Sequence, residues 1–196
     1  MIRAAAKNYE AVAVVTNPGK YRSIVEEMKA SGGIGQDTLR TLMLEAFQST
    51  ANYDALIAQH LGGEFCGPQF PDKLTLGFEK VQDLRYGENP SQAAAFYTDP
   101  LAAGVGSSRM SQLHGKELSF NNILDIESAL DLLREFEDRP TAVVIKHTNP
   151  CGIASADTIY DAFMVAYNVD ALAAFGCIIG FNRTCDVPTA EEISKH

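Results

Sequence analysis

The 196 residues are 46% hydrophobic, enough to build one large domain or two small ones around true cores. A net charge of −9 excludes a general nucleic-acid or membrane-surface binder, since either needs a basic face, but it leaves room for a local anion pocket. Four scattered cysteines (Cys66, Cys151, Cys177, Cys185) form no C-x-x-C pair, and no stretch reads as a signal peptide or spanning helix, so the expected setting is the reducing cytosol.

In chain order, residues 11–15 form a short apolar run suited to a buried strand, closed by the turn signal Asn17-Pro18-Gly19. Tyr21, Ile24, Val25 and Met28 then recur at helical spacing until Gly32-Gly33. A longer helix is predicted from Asp37, with Leu39, Leu42, Met43, Ala46 and Phe47 on one face and Tyr53, Leu56 and Ile57 continuing it toward Gly62-Gly63. Residues 62–72 hold three Gly and two Pro and read as a linker. Leu74, Leu76 and Phe78 then alternate as in a strand. Residues 125–136 read as a helix with Ala129, Leu130, Leu132 and Leu133 inward. Residues 142–146 read as a buried strand, 158–169 as a helix and 177–181 as another strand. Thr189-Ala-Glu-Glu192 is a capping box that opens a last helix. Such alternation predicts an α/β layered fold. The first strand has no preceding partner and the last helix is barely begun at His196, so the chain reads as a piece of a longer one.

Five local patterns carry possible chemistry. Lys146-His147-Thr148-Asn149-Pro150-Cys151-Gly152 places two titratable side chains where a strand ends, and strand ends in α/β sheets collect ligands. Adjacent strand residues point to opposite faces, so the two share a site only if the backbone turns there, and Asn149-Pro150 offers the turn. A strand finishing in an exposed Lys and a capping His fits the same pattern. Leu84-Arg85-Tyr86-Gly87-Glu88-Asn89-Pro90-Ser91-Gln92 joins a planar cation, an aromatic ring and a glycine. Arg can grip a phosphate, Tyr can stack on a base and Gly lets backbone approach a ligand, although an ordinary surface turn has this composition too. The run from His114 to Asp125 contains the amide pair Asn121-Asn122 ahead of an apolar helix, where helix capping is the default. Ala174-Phe175-Gly176-Cys177 is a small-residue turn before a strand. Arg3 and Lys7 lie one helical turn apart, as a cationic face or as a solvated helix end.

Taken in order, these runs resemble the bifunctional AICAR transformylase/IMP cyclohydrolase family. R-A-A-A-K-N stands at Arg3 to Asn8, L-R-Y-G-E-N-P at Leu84 to Pro90 and L-H-G-K-x-L-S-x-N-N at Leu113 to Asn122. K-H-x-N-P-C-G stands at Lys146 to Gly152, A-F-G at Ala174 to Gly176 and V-P-T-A-x-x-I at Val187 to Ile193. Ser91 departs from the family's usual His, and Cys177 from a second Gly common in bacterial members.

The resemblance implies residues 1–77 as the end of a methylglyoxal-synthase-like cyclohydrolase domain with its linker. It implies residues 78–196 as the first, truncated cytidine-deaminase-like lobe of the transformylase. The implied work is formyl transfer from the cosubstrate 10-formyltetrahydrofolate to the 5-amino group of AICAR, giving FAICAR, and closure of FAICAR to IMP in purine biosynthesis, by a cytosolic homodimer. His147 would be the general base, Lys146 would stabilise the oxyanion and Lys7 would serve ring closure. Arg85, Tyr86, Gly87, Asn122, Phe175 and Gly176 would hold the nucleotide. No metal is implied. In zinc deaminases P-C-x-x-C supplies two thiolates, and here Ala154 replaces the second. A chain of this extent is expected to be inactive by itself. The alternatives are a non-catalytic assembly piece or a zinc-independent, deaminase-like nucleotide-binding lobe.

Overall fold

The computed structural model describes residues 1–66, 70–102 and 106–196. The chain divides into two compact units, Met1–Glu79 with Asp99–Ala102, and Lys80–Thr98 with Ala103–His196.

The described secondary structure of the first unit is helical apart from the first residue of a strand at its edge. Helix α1 (Ile2–Lys7) buries Ala6 and packs on α3 (Gln36–Phe65), with the Arg3 guanidinium 5.7 Å from the centre of the Phe47 ring. Leu39, Leu42 and Ala46 are buried at the three- and four-residue spacing of one helix face, and Ala55 extends the set. Helix α2 (Tyr21–Ser31) ends where Gly32 takes φ 75°, a left-handed conformation that costs glycine little. Glu27 of α2 then stands in for the side chain that Gly35 lacks at the start of α3. Its carboxylate accepts from the Gly35 N–H at 2.8 Å and from the Thr38 hydroxyl at 2.9 Å, placing negative charge at a helix N-terminus.

Three expectations fail in this part of the chain. Residues 11–15 form no strand, because an isolated extended segment needs a ladder partner and none exists among the described residues of this unit. Gly62 and Gly63 lie inside α3, so the linker begins later than their presence suggests. Glycine weakens a helix by about 1 kcal/mol without barring it. Residues 67–69 of that linker lie outside the described residues. Leu74, Leu76 and Phe78 alternate but are unpaired and exposed; the strand is β1 (Glu79–Leu84), which has β2 (Ala94–Thr98) to bond with.

The second unit is an α/β sandwich on the three-stranded antiparallel sheet β4-β3-β5, formed by Asn149–Ser155, Thr141–Lys146 and Ile178–Phe181. Ala142 and Val144 face one cluster, with Ala162, Phe163 and Ala166 of α5 (Ile159–Val169). Val143 and Ile145 face the other, with Ala129 and Leu133 of α4 (Phe120–Arg134). Strand β3 is thus buried on both faces, which is why its sequence is a continuous apolar run. Full burial of Phe163 contributes about 2–3 kcal/mol. Close approach requires two glycines. A Cβ at Gly152 would lie 2.0 Å from the Ala166 carbonyl oxygen, and one at Gly180 would lie 2.9 Å from Val143 Cγ2.

Helix α4 starts five residues before the predicted position, because Ser119 and Asn122 form a reciprocal cap there. Helix α6 (Val187–Ile193) also starts early. Its cap is Asp186, not Thr189, and Thr189 is the buried residue whose hydroxyl and N–H bind the Asp186 carboxylate. Those bonds, the hydroxyl's first, hold the Asp186 carboxyl below its ordinary range.

Candidate active site

Lys146 ends β3 and is paired in register with Asn149, the first residue of β4. The two strands are therefore joined by the two residues between, His147 at φ 53° and Thr148 at φ 62°. Two successive positive φ values in a two-residue hairpin loop are the mark of a type I′ turn. The turn lies at His147-Thr148, and Asn149-Pro150 belongs to the returning strand. This corrects the sequence expectation, which credited the reversal to Asn149-Pro150. A β-bulge follows, where Ile145 pairs with Pro150 and Val144 with Gly152, leaving Cys151 as the extra residue.

The turn is held from several directions. The Thr148 N–H donates to Asp125 Oδ1 at 2.7 Å, and the Asn149 side-chain amide donates to the His147 carbonyl at 2.8 Å. Thr148 Oγ1 donates to the same carbonyl at 2.7 Å. His147 is exposed, and its imidazole has no hydrogen-bond partner among the described residues. Lys146 Nζ donates to the carbonyls of Ala173 at 3.1 Å and Phe175 at 2.8 Å, which ties the strand end to the Ala174–Cys177 turn. That turn closes with the Cys177 N–H on the Ala174 carbonyl, and Gly176 takes φ 75°. Phe175, at its tip, is 79% exposed. Burial pushes the neighbouring Cys177 thiol up from its ordinary range.

Arg85 and Tyr86 follow β1. Their backbone continues a ladder-like contact with the residues before α4: the Arg85 N–H donates to the Leu118 carbonyl at 2.8 Å, and the Phe120 N–H donates to the Tyr86 carbonyl at 3.1 Å. The Arg85 guanidinium lies 4.9 Å from the Tyr86 ring centre and donates to its hydroxyl at 3.3 Å. Hydrogen bonding with Ser119, and then with Arg85, holds the Tyr86 phenol below its ordinary range. Gly87 is buried, and a side chain there would press on Gln92 at 3.0 Å. Asn122 sits beside this group, but its side-chain oxygen accepts from Ser119's N–H at 3.0 Å and hydroxyl at 2.9 Å. The capping role expected by default is the one seen.

Helix α4 brings the two groups together. Leu118 meets Arg85, Ser119 and Phe120 meet Tyr86, and Asp125 meets Thr148. From Phe120 to Asp125 is about 7–8 Å along a helix axis, so both groups border its first two turns. Arg85 and Lys146 have no carboxylate partner among the described residues, in a unit where Arg134, Arg139 and Lys195 are paired with acids. Lys7 is separate. It is exposed in the last turn of α1, in the first unit, and it too has no carboxylate partner among the described residues.

Ser119 and Asp125 fall within the run singled out in the sequence without a role of their own, and Ala173 falls outside every such run. The S-x-x-N spacing could have revealed the Ser119 cap, whereas nothing local marks Asp125, whose partner is 23 positions away. The larger cavities do not mark this surface. Two of about 350 and 410 Å³ are lined by first-unit residues, and none of the candidates borders them. A smaller one of about 190 Å³ reaches Phe175 and Gly176 from the α5 side. Arg85, His147 and Phe175 are instead exposed. Among the described residues no group of three or more His, Cys, Asp or Glu is disposed to hold a metal ion, and no helix is long and apolar enough to cross a membrane.

The chain is similar to three bacterial proteins called bifunctional purine biosynthesis protein PurH. It is 51% identical over 196 residues to the one from Ruminiclostridium cellulolyticum and 50% over 196 residues to that of Acetivibrio thermocellus. It is 47% identical over 195 residues to that of Halalkalibacterium halodurans. Each match covers the whole of this chain and 38% of the relative's length. The family model described as AICARFT/IMPCHase bienzyme matches residues 5–196, and the chain belongs to that family.

Proposed function

We propose that this chain contributes the base, the oxyanion donor and part of the nucleotide grip for formyl transfer from 10-formyltetrahydrofolate to the 5-amino group of AICAR. In this reading it also contributes a lysine to the closure of FAICAR to IMP. The observation that carries the proposal is that the residues from Leu118 to Asp125, at the start of α4, bond both the backbone of Arg85 and Tyr86 and the His147-Thr148 turn that follows Lys146, in a chain of this family.

The amine of AICAR is a weak nucleophile because its lone pair is drawn into the ring and the adjacent carboxamide. As it bonds to the formyl carbon it must lose a proton, and a positioned base is worth about 10²–10⁴-fold. His147 projects from a tight turn with its imidazole unengaged, so it can take that proton. An ammonium has three N–H donors. Lys146 directs two at carbonyls, which leaves one for the oxyanion of the tetrahedral species. Arg85, fixed against Tyr86, offers a planar fork to an anionic group, and the Tyr86 and Phe175 rings offer stacking faces. The folate is a bound cosubstrate: collapse of the tetrahedral species breaks the bond from the formyl carbon to the folate nitrogen, which leaves as N–H with the proton that His147 took from the amine, and the partner reaction at Lys7 is ring closure. The reading also takes residues 1–77 as the methylglyoxal-synthase-like part and 78–196 as the cytidine-deaminase-like lobe, working within a homodimer.

The test uses this segment in a chain of the relatives' full length. His147→Ala should reduce formyl transfer by about a hundredfold or more while leaving IMP formation from FAICAR intact. Near-normal transfer in that variant removes His147 from the chemistry.

A further inference from the structure

Thr148 is β-branched and sits at φ 62°, a conformation that such residues rarely adopt. Strain of this kind persists only where the surroundings over-determine it. One bond from outside the hairpin does so: the Thr148 N–H donates to Asp125 Oδ1, at 2.7 Å, across 23 residues of chain. The other bonds, from Thr148 Oγ1 and the Asn149 amide to the His147 carbonyl, arise within the turn and its first flanking residue and move with it. Asp125 in turn is fixed on α4, which is anchored by the Ser119–Asn122 cap and by packing on β3 and β5.

We infer that Asp125 is a positioning residue for formyl transfer, its carboxylate clamping the His147-Thr148 turn so that the His147 ring is presented from the end of β3 at a fixed angle. The inference rests on the reading of His147 as the base. Asp125 needs no contact with the substrate to act. Without the clamp the Thr148 backbone relaxes toward negative φ, the two-residue loop loses its type I′ form, and the preceding imidazole swings away from its place. Misplacement by about 1 Å is enough to cost about a hundredfold in rate.

The experiment is a double-mutant cycle in a chain of full length carrying this segment. Asp125→Ala should lower kcat for formyl transfer by about ten- to a hundredfold, with KM for AICAR changed less and IMP ring closure unaffected. Asp125→Asn keeps the Oδ1 acceptor and should retain at least about a third of the rate, by the modest loss expected when a neutral acceptor replaces a charged one. Glycine at 148 adopts the turn without strain. In the Thr148→Gly background Asp125→Ala should therefore cost less than about threefold, a coupling that a merely structural loss would not show. Amide exchange at Thr148 reads the clamp directly and should quicken by about tenfold or more in Asp125→Ala. Full activity in Asp125→Ala overturns the inference. So does equal damage from Asp125→Asn, or damage that Thr148→Gly leaves in place. His147→Ala separates the two readings. If that variant keeps transfer, the base assignment falls, while unchanged Thr148 exchange in Asp125→Ala would remove the clamp itself.

Discussion

At the scale of single residues, the pair Arg85 and Tyr86 is set by its neighbours as much as by itself. Ser119 ends the loop before α4, where its hydroxyl caps the helix, and as Tyr86 ionises its one proton can turn from Asn122 Oδ1 to the phenolate. Both Ser119 and Arg85 favour the phenolate, so Tyr86 should ionise at lower pH than an ordinary tyrosine. Ultraviolet titration should show one early phenolate that Tyr86→Phe abolishes. Ser119→Ala should shift that step upward and should also remove a cap worth about 1 kcal/mol to α4. An early step that survives Tyr86→Phe would assign the ionisation to another tyrosine. The sequence displayed Arg85, Tyr86 and Gly87 as a ligand-like group, but it gave no sign that Ser119 would tune them. Such tuning depends on a through-space contact between a loop and a helix start.

At the scale of elements, the legible features were those written in local periodicity and the hidden ones those that depend on partners. Helix α2, the long α3 and strand β3 follow from apolar spacing, and Gly32 marks its boundary as expected. The strands at 11–15 and 74–78 were misread because alternation specifies a face, not the neighbour that must complete the ladder. The His147-Thr148 turn was misplaced for a different reason. Pro150 is a strong local turn signal, yet it pairs with Ile145 beside the bulge at Cys151, and the positive φ falls on His147 and Thr148, the latter bonded to Asp125 across 23 positions. Gly152 shows the same dependence on context. Its Cα faces the Ala166 carbonyl of α5, and Gly152→Ala would put a methyl group 2.0 Å from that oxygen. Backbone must move to relieve it, at a cost on the order of 3 kcal/mol. The amides of β3 should then exchange roughly a hundredfold faster, as the sheet opens against α5. Unchanged protection at Val143 and Val144 would mean that β4 and α5 separate without loosening the sheet.

At the scale of the whole molecule, the candidate residues fall into two compact units. Lys146, His147, Arg85 and Tyr86 share the α/β unit, and Lys7 belongs to the helical one. Each unit has its own buried residues: Leu39, Leu42 and Ala46 in the first, and Val143, Val144 and Phe163 in the second. Substitutions in separate cores with no shared partners act independently to within about 0.5 kcal/mol. Lys7 is exposed, and its side chain makes no ion pair among the described residues, so replacing it removes a charge without opening a core. In a chain of the relatives' full length, Lys7→Ala should therefore depress IMP formation from FAICAR and leave formyl transfer within about twofold of the parent, the factor that such independence allows. The double variant Lys7→Ala/His147→Ala should show the two single losses side by side, each in its own reaction. Equal loss of both activities from Lys7→Ala alone would show instead that Lys7 holds α1 against α3, as a cation at a helix C-terminus can. In that case the melting temperature should fall with the activities, whereas a catalytic Lys7 leaves it unchanged.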